Sequence, residues 1–236
     1  MGDSKVAVGL VLTLLLAESS IELIPREIVS HPAVLKRAHR KKKNPGQLIL
    51  DQNYHYAAMK KLVQNRERGR PDIAHLCLLA ALGAPLNLEN HLRCIVHTRD
   101  DKAIRVNPKT RLPRNTDRFV ALLEQLYELG VVPQEGDPLL TLETATMPRL
   151  VSELSPGSVI ALTTTGTPTP MFRVAERLVS QRNPVLLVGG FPVGHFSEQT
   201  RRLAGEAYRI DKNGLDAWTV VARAVYDYER ALASQA

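Results

Sequence analysis

Only two cysteines occur in the 236 residues, Cys77 and Cys94, and they form no C-x-x-C pair. That excludes a disulfide scaffold and reads as buried thiols in a reduced, cytoplasmic setting. The seven histidines show no ligand spacing with one another or with the cysteines, so no metal is expected. Aromatic residues make up 5% of the chain, too few for base stacking across the face of a sheet. The apolar run Val6 to Leu16 falls short of the roughly 20 residues that span a bilayer. It also lacks the charged flank and cleavage pattern of a secretory leader, so it reads as a buried first strand with no membrane partner. Nothing matches G-x-x-x-x-G-K-[ST], and no G-x-G-x-x-G enters a helix, which excludes the usual nucleoside triphosphate and NAD sites. Internal repeats and low-complexity tracts are absent too.

What is there is an ordinary globular composition, 44% hydrophobic, long enough for one α/β domain over residues 1–236. The formal net charge is +7, and it is unevenly placed. Residues 36–70 carry 11 Lys/Arg against 2 Asp/Glu, and residues 99–118 carry 7 against 3. Basicity gathered in one half of a chain points to a phosphate-bearing partner rather than to general solubility.

Short apolar runs alternate with helical patterns, as in a mostly parallel sheet flanked by helices. Strands are expected at Val6 to Leu16, Leu48 to Leu50, Leu92 to Thr98, Ala103 to Asn107, Val159 to Leu162 and Val185 to Val188. Helices are expected near Val34, at His55 to Arg66 with Met59, Leu62 and Val63 inward, and at Ile73 to Leu82. Further helices are expected at Phe119 to Leu129, Met171 to Gln181 and about Leu215 to Ala233. Residues 40–46 read as a lysine-rich loop placed to touch a backbone phosphate, and Pro133 to Pro138 as a short linker.

Three loops in the C-terminal half each follow an apolar run: Thr163 to Pro168, Gly189 to Phe196, and the turn within Ala207 to Trp218. Gly189, Gly190 and Gly194 allow tight turns and close approach to a ligand. In open α/β sheets ligands bind beyond the carboxyl ends of strands, where such loops converge. Two arginine groups stand apart from these loops. Arg70 lies in a turn fixed by Gly69 and Pro71, with Asp72 placed both to cap the next helix and to orient its guanidinium. Arg111, Arg114 and Arg118 are spaced to share one helical face, with Pro113 in the first turn.

Taken together, Glu67-Arg-Gly-Arg-Pro-Asp72, Arg111-Leu-Pro-Arg-Asn-x-x-Arg-Phe119 and Val188-Gly-Gly-Phe-Pro-x-Gly-x-Phe196 resemble the nucleolar essential protein family of ribosome biogenesis. Ser19-x-x-Glu-Leu-Ile-Pro25 and Leu50-Asp-x-x-x-His55 fit it as well, and the compact loops look like those of archaeal members. The resemblance implies a SPOUT-class α/β fold with a C-terminal trefoil knot, working as a homodimer. It implies S-adenosylmethionine as cofactor and methylation of a pseudouridine at its N1 nitrogen in small-subunit ribosomal RNA. Carried onto this sequence, Thr165, Gly189, Gly194, Ile210, Asp211, Lys212, Asn213, Gly214 and Leu215 would line the cofactor pocket, within a region spanning mainly 159–218. Arg70, Arg111, Arg114 and Arg118 would bind RNA on a face spanning mainly 36–118, with Asp72 holding Arg70. No catalytic base is named, because Asp72 is committed to an arginine. The competing reading is an rRNA-binding ribosome assembly factor without turnover, which needs the arginines but not an open pocket.

Overall fold

Leu12, Leu14, Leu15 and Leu16 are completely buried, which places their strand at the centre of the sheet with both faces covered. That is why it reads as a continuous apolar run rather than an alternating one. The structure, a computed structural model, describes residues 11–235. Its strands are β1 (Leu12–Ser19), β2 (Leu92–Thr98), β3 (Lys102–Val106), β4 (Val131–Val132), β5 (Leu140–Thr144), β6 (Val159–Pro168), β7 (Val185–Gly189) and β8 (Glu206–Arg209). They form one sheet in the order β4-β5-β3-β2-β1-β7-β6-β8. β1 is parallel to β2 and β7, and β6 to β7 and β8, whereas β3, β4 and β5 pair antiparallel at the other edge.

Alternation along β1 separates two cores. Leu12, Leu14 and Leu16 face one side, with helices Pro71–Leu82, Thr116–Leu129, Met171–Val179 and Ala217–Ala233 packed over them. Leu15 and Ala17 face the other, under helix Met147–Leu154 and Phe196. A satellite core of Ile28, Val34, Leu48, Leu50, Ala58 and Met59 lies beneath the insertion between β1 and β2.

Several elements differ from the sequence reading, each for a local reason. The first strand runs to Ser19 because pairing with β2 and β7 continues past Leu16; residues 6–10 of the expected strand lie outside the described residues. Leu48 to Leu50 make only one isolated antiparallel bridge, Leu23 to Ile49, and their apolar side chains fill the satellite core. The helix expected at His55 to Arg66 is Gln52–Met59, started by Asp51, whose carboxylate accepts from Asn53 N at 2.9 Å. Gln64 then turns the chain with a left-handed φ of 53°, which leaves Val63 81% exposed instead of inward.

Pro133 to Pro138 is the tip between β4 and β5, both in the same sheet, and not a linker. Thr163 to Pro168 belongs to β6 rather than to a free loop. Both Leu162 and Thr167 pair with Tyr208, so residues 163–166 bulge out and the strand returns. Gly166 makes this crossing possible: a Cβ there would lie 2.5 Å from the Tyr208 carbonyl carbon, closer than any side chain tolerates.

Candidate functional site

The carboxyl ends of β6, β7 and β8 open into a cavity of about 570 Å³, within the range of small-molecule sites. Leu162, Val188, Phe196, Tyr208 and Val220 give it apolar walls, while Thr163, Thr164, Asp211, Asn213 and Asp216 supply polar groups. Of the residues expected there, Gly189, Gly194, Ile210, Asp211, Asn213, Gly214 and Leu215 line it. Thr165 and Lys212 are not among the lining residues. Thr165 lies in the β6 bulge of residues 163–166, of which Thr163 and Thr164 line the cavity. Lys212 rides the tip of a turn in which Asp211 Oδ1 accepts from the Asn213 backbone N–H at 3.0 Å, and its side chain faces solvent.

The glycine loop is tied at both ends to the end of β1. Gly190 N donates to Ala17 O at 2.9 Å, and its carbonyl accepts from Ser20 N at 2.9 Å. Beyond the loop, the Glu18 carboxylate accepts from Ser197 N, from Ser197 Oγ at 2.5 Å and from Thr200 Oγ1 at 2.5 Å. Glu18 does this from a left-handed φ of 52°, an uncommon state for a residue with a side chain. Sequence reasoning missed it, because nothing about a lone glutamate after an apolar run announces a partner 179 residues away. Gly194 has φ +99° and rests against Glu67, whose Oε1 would lie 3.4 Å from a Cβ on Gly194.

That contact brings the arginine turn to the rim of the cavity. Arg70 makes paired hydrogen bonds to Asp72, Nε to Oδ1 at 2.8 Å and Nη2 to Oδ2 at 2.7 Å. The bond to Asp72 raises the Arg70 pKa, and Asp216 of the cavity adds to it through its charge. Asp72 does not cap the helix; Pro71 opens it, Arg70 is the N-cap residue, and the carboxylate is spent on the guanidinium. Buried Ser20 joins turn and loop: its N–H reaches Gly190, its carbonyl accepts from Arg70 N at 3.2 Å, and its Oγ donates to Glu67 O at 2.5 Å.

Arg111, Arg114 and Arg118 are exposed and have no side-chain partner among the described residues. They do not share a helical face as expected, since the helix begins at Thr116, capped by Asn115, which accepts from Arg118 N at 3.1 Å. Arg111 and Arg114 stand on the preceding loop, and so does Pro113.

Much of the basic insertion is consumed internally. Lys41 and Lys43 reach buried Glu124 at 2.7 and 3.3 Å. Arg37 lies over the Tyr54 ring and pairs with Asp117 at 2.9 Å, while Arg68 is held by Glu22. Lysines 41 and 43, expected in a phosphate-facing loop, therefore clamp helix Thr116–Leu129 instead. Lys36, Arg40, Lys42, Lys61 and Arg66 remain exposed, with no side-chain partner among the described residues.

Two histidines lie beneath this basic face. Burial, with Arg37 and Lys41 nearby, brings the His55 pKa down to about 4, and burial also lowers that of His75. Both cysteines are buried without a disulfide, and burial pushes the Cys94 thiol up to about 12. Among the described residues no group of three or more His, Cys, Asp or Glu side chains gathers to hold a metal ion. No helix among them is long and apolar enough to cross a membrane.

Comparison with known proteins places this geometry. Residues 14–229 match the family described as EMG1/NEP1 methyltransferase. The chain is similar to the ribosomal RNA small subunit methyltransferase Nep1 of Thermococcus kodakarensis, 44% identical over 94% of this chain and 99% of the relative. The Pyrococcus furiosus protein of the same name is 44% identical over 92% of this chain and 96% of its own length. Among solved structures, Archaeoglobus fulgidus Nep1 bound to S-adenosylhomocysteine superposes with a TM-score of 0.83 at 33% identity, covering 95% of this chain and 99% of that one.

Proposed function

Because the chain belongs to the EMG1/NEP1 methyltransferase family, we propose that it transfers a methyl group from S-adenosylmethionine to a nucleoside of small-subunit ribosomal RNA during ribosome biogenesis. The observation that carries this reading is the adjacency of two sites. An open cavity lies at the strand ends, and the turn carrying Arg70 packs against the same glycine loop through Glu67 and Ser20. An RNA-binding assembly factor without turnover has no use for that cavity.

The cavity residues suit the cofactor. Leu162, Val188 and Tyr208 offer apolar surface for a purine, and Asp211 and Asp216 place carboxylates where hydroxyl and amino groups need acceptors. The assignment covers Gly189, Gly194 and the Ile210 to Leu215 turn, with Thr163 and Thr164 taking the place expected of Thr165. When bound, S-adenosylmethionine supplies an electrophilic methyl on a sulfonium centre. The protein's part is to hold donor and acceptor in line, which is a matter of position rather than of covalent chemistry. Arg70, held rigid by Asp72 at the rim, is suited to hold a phosphate of the RNA or to stabilise negative charge developing on the base.

We further infer that the acceptor is N1 of a pseudouridine, that the protein acts as a homodimer in the cytoplasm, and that the crossing at Gly166 belongs to a trefoil knot. Support for these comes from the family resemblance, with the close passage of β6 over Tyr208 favouring the knot. A single eight-stranded sheet running from β4 to β8 supports one domain.

Calorimetric titration with S-adenosylmethionine tests the cofactor assignment, with Gly194→Val as the diagnostic variant. A branched side chain at φ +99° strains the loop that lines the cavity and presses it against Glu67, so affinity should fall about tenfold or more, equivalent to about 1.4 kcal/mol. Unchanged affinity in a variant with an intact circular dichroism spectrum would show that the loop does not hold the cofactor.

A further inference from the structure

We infer that His75 is the positioning residue that sets the Arg111 to Arg118 segment in register with Arg70. The inference rests on reading those arginines as RNA ligands, and it adds the side chain that makes two separate groups into one surface.

His75 is completely buried in helix Pro71–Leu82, one turn after Asp72. Its ring touches the arginine segment at three points. Nε2 lies 2.6 Å from Pro113 O, Nδ1 lies 3.3 Å from Thr116 Oγ1, and the ring stacks on Phe119 with centroids 4.4 Å apart and planes 11° from parallel. A carbonyl oxygen can only accept, so Nε2 carries the proton and donates to Pro113, while Nδ1 accepts from the Thr116 hydroxyl. Those contacts fall between Arg111 and Arg114, at the first residue of the next helix, and beside Arg118. One imidazole thus pins a segment whose three arginine side chains have no partner among the described residues.

The same helix begins with the Arg70 N-cap and the Arg70–Asp72 pair. Residues three apart on a helix share a face, and Asp72 acts on His75 electrostatically. Helix Pro71–Leu82 is therefore the common mount for both arginine groups. A phenylalanine at 75 would keep the stacking but lose both hydrogen bonds. Without them the loop is free to move, and part of the RNA binding free energy goes into ordering it.

The test uses a labelled hairpin RNA carrying one loop pseudouridine, with affinity measured across a salt series for wild type, His75→Phe, His75→Gln and Arg111→Ala/Arg114→Ala/Arg118→Ala. His75→Phe should bind about tenfold more weakly, with a salt slope shallower by roughly one unit, because each single-strand phosphate contact contributes about 0.7. S-adenosylmethionine affinity should not change. His75→Gln, which keeps an N–H donor for Pro113, should recover most of the RNA affinity. Adding His75→Phe to the triple arginine variant should then cost nothing further, since its effect passes through those arginines.

Wild-type RNA affinity in a folded His75→Phe protein, while the arginine variant is weakened, would overturn the role of His75 alone. So would additivity of the two changes, or equal weakening of cofactor and RNA binding with no rescue by glutamine, which marks a general loss of structure. If the arginine variant itself binds as wild type, the RNA-ligand reading fails first and the inference with it.

Discussion

A hairpin RNA containing pseudouridine should accept labelled methyl groups from S-adenosylmethionine, and the identical hairpin with uridine at that position should stay unlabelled. Pseudouridine presents a ring N–H at the N1 atom that in uridine carries the glycosidic bond, so the second substrate has no free N–H at that position to lose its proton and take the methyl. Sites built around one hydrogen-bonding group reject an analogue lacking it by about 10⁴-fold or more. The rate on pseudouridine should rise with pH, since the ring proton must leave before or during attack. Digestion to nucleosides identifies the product. Equal labelling of both hairpins, or label on a ribose hydroxyl, would assign a different acceptor to the same cavity. Absence of label despite measured cofactor binding would favour an assembly factor that has kept its pocket without turnover.

The triple variant Arg111→Ala, Arg114→Ala, Arg118→Ala should bind the same hairpin about a hundredfold more weakly near 0.1 M salt, with a slope shallower by about two. These side chains are exposed and have no partner among the described residues, so their loss removes phosphate contacts without disturbing the core. Lys41→Ala with Lys43→Ala is the informative contrast, because it too removes positive charge. Both lysines bind Glu124, which is 2% exposed, and removing them leaves a buried carboxylate unpaired. Urea denaturation should therefore show a stability loss of about 3 kcal/mol, while the salt slope of RNA binding stays near that of wild type. If the lysine pair lowers the slope as much as the arginines do, charge alone directs the RNA and the arginine segment holds no special place.

The contrast between those lysines and arginines marks the limit of what the chain order reveals. Both appear in the sequence as basic residues in a basic half, and composition treats them alike. Which are free depends on what packs opposite: Glu124 reaches Lys41 across 83 residues, and Glu18 reaches Ser197 across 179. Such pairings carry no local signature.

Local physics did determine a good deal. The continuous apolar runs of β1 and β7 could only be strands covered on both faces. Gly69, Pro71 and the Arg70–Asp72 spacing determined a rigid turn with a paired guanidinium, because a bidentate bond between residues two apart needs little else. The glycine loop after β7 pointed to the cavity for the same reason: a strand end followed by glycines leaves backbone open to a ligand.

Tertiary structure decided the rest. It moved the start of the arginine helix to Thr116, turned Leu48 to Leu50 from a strand into core filling, and sent β6 back across Tyr208. It also set Ser20 between the glycine loop and Arg70, and His75 beneath the arginine segment. In each of these the deciding energy is a long-range contact, a buried hydrogen bond or a packed ring, and such contacts exist only once distant parts of the chain meet.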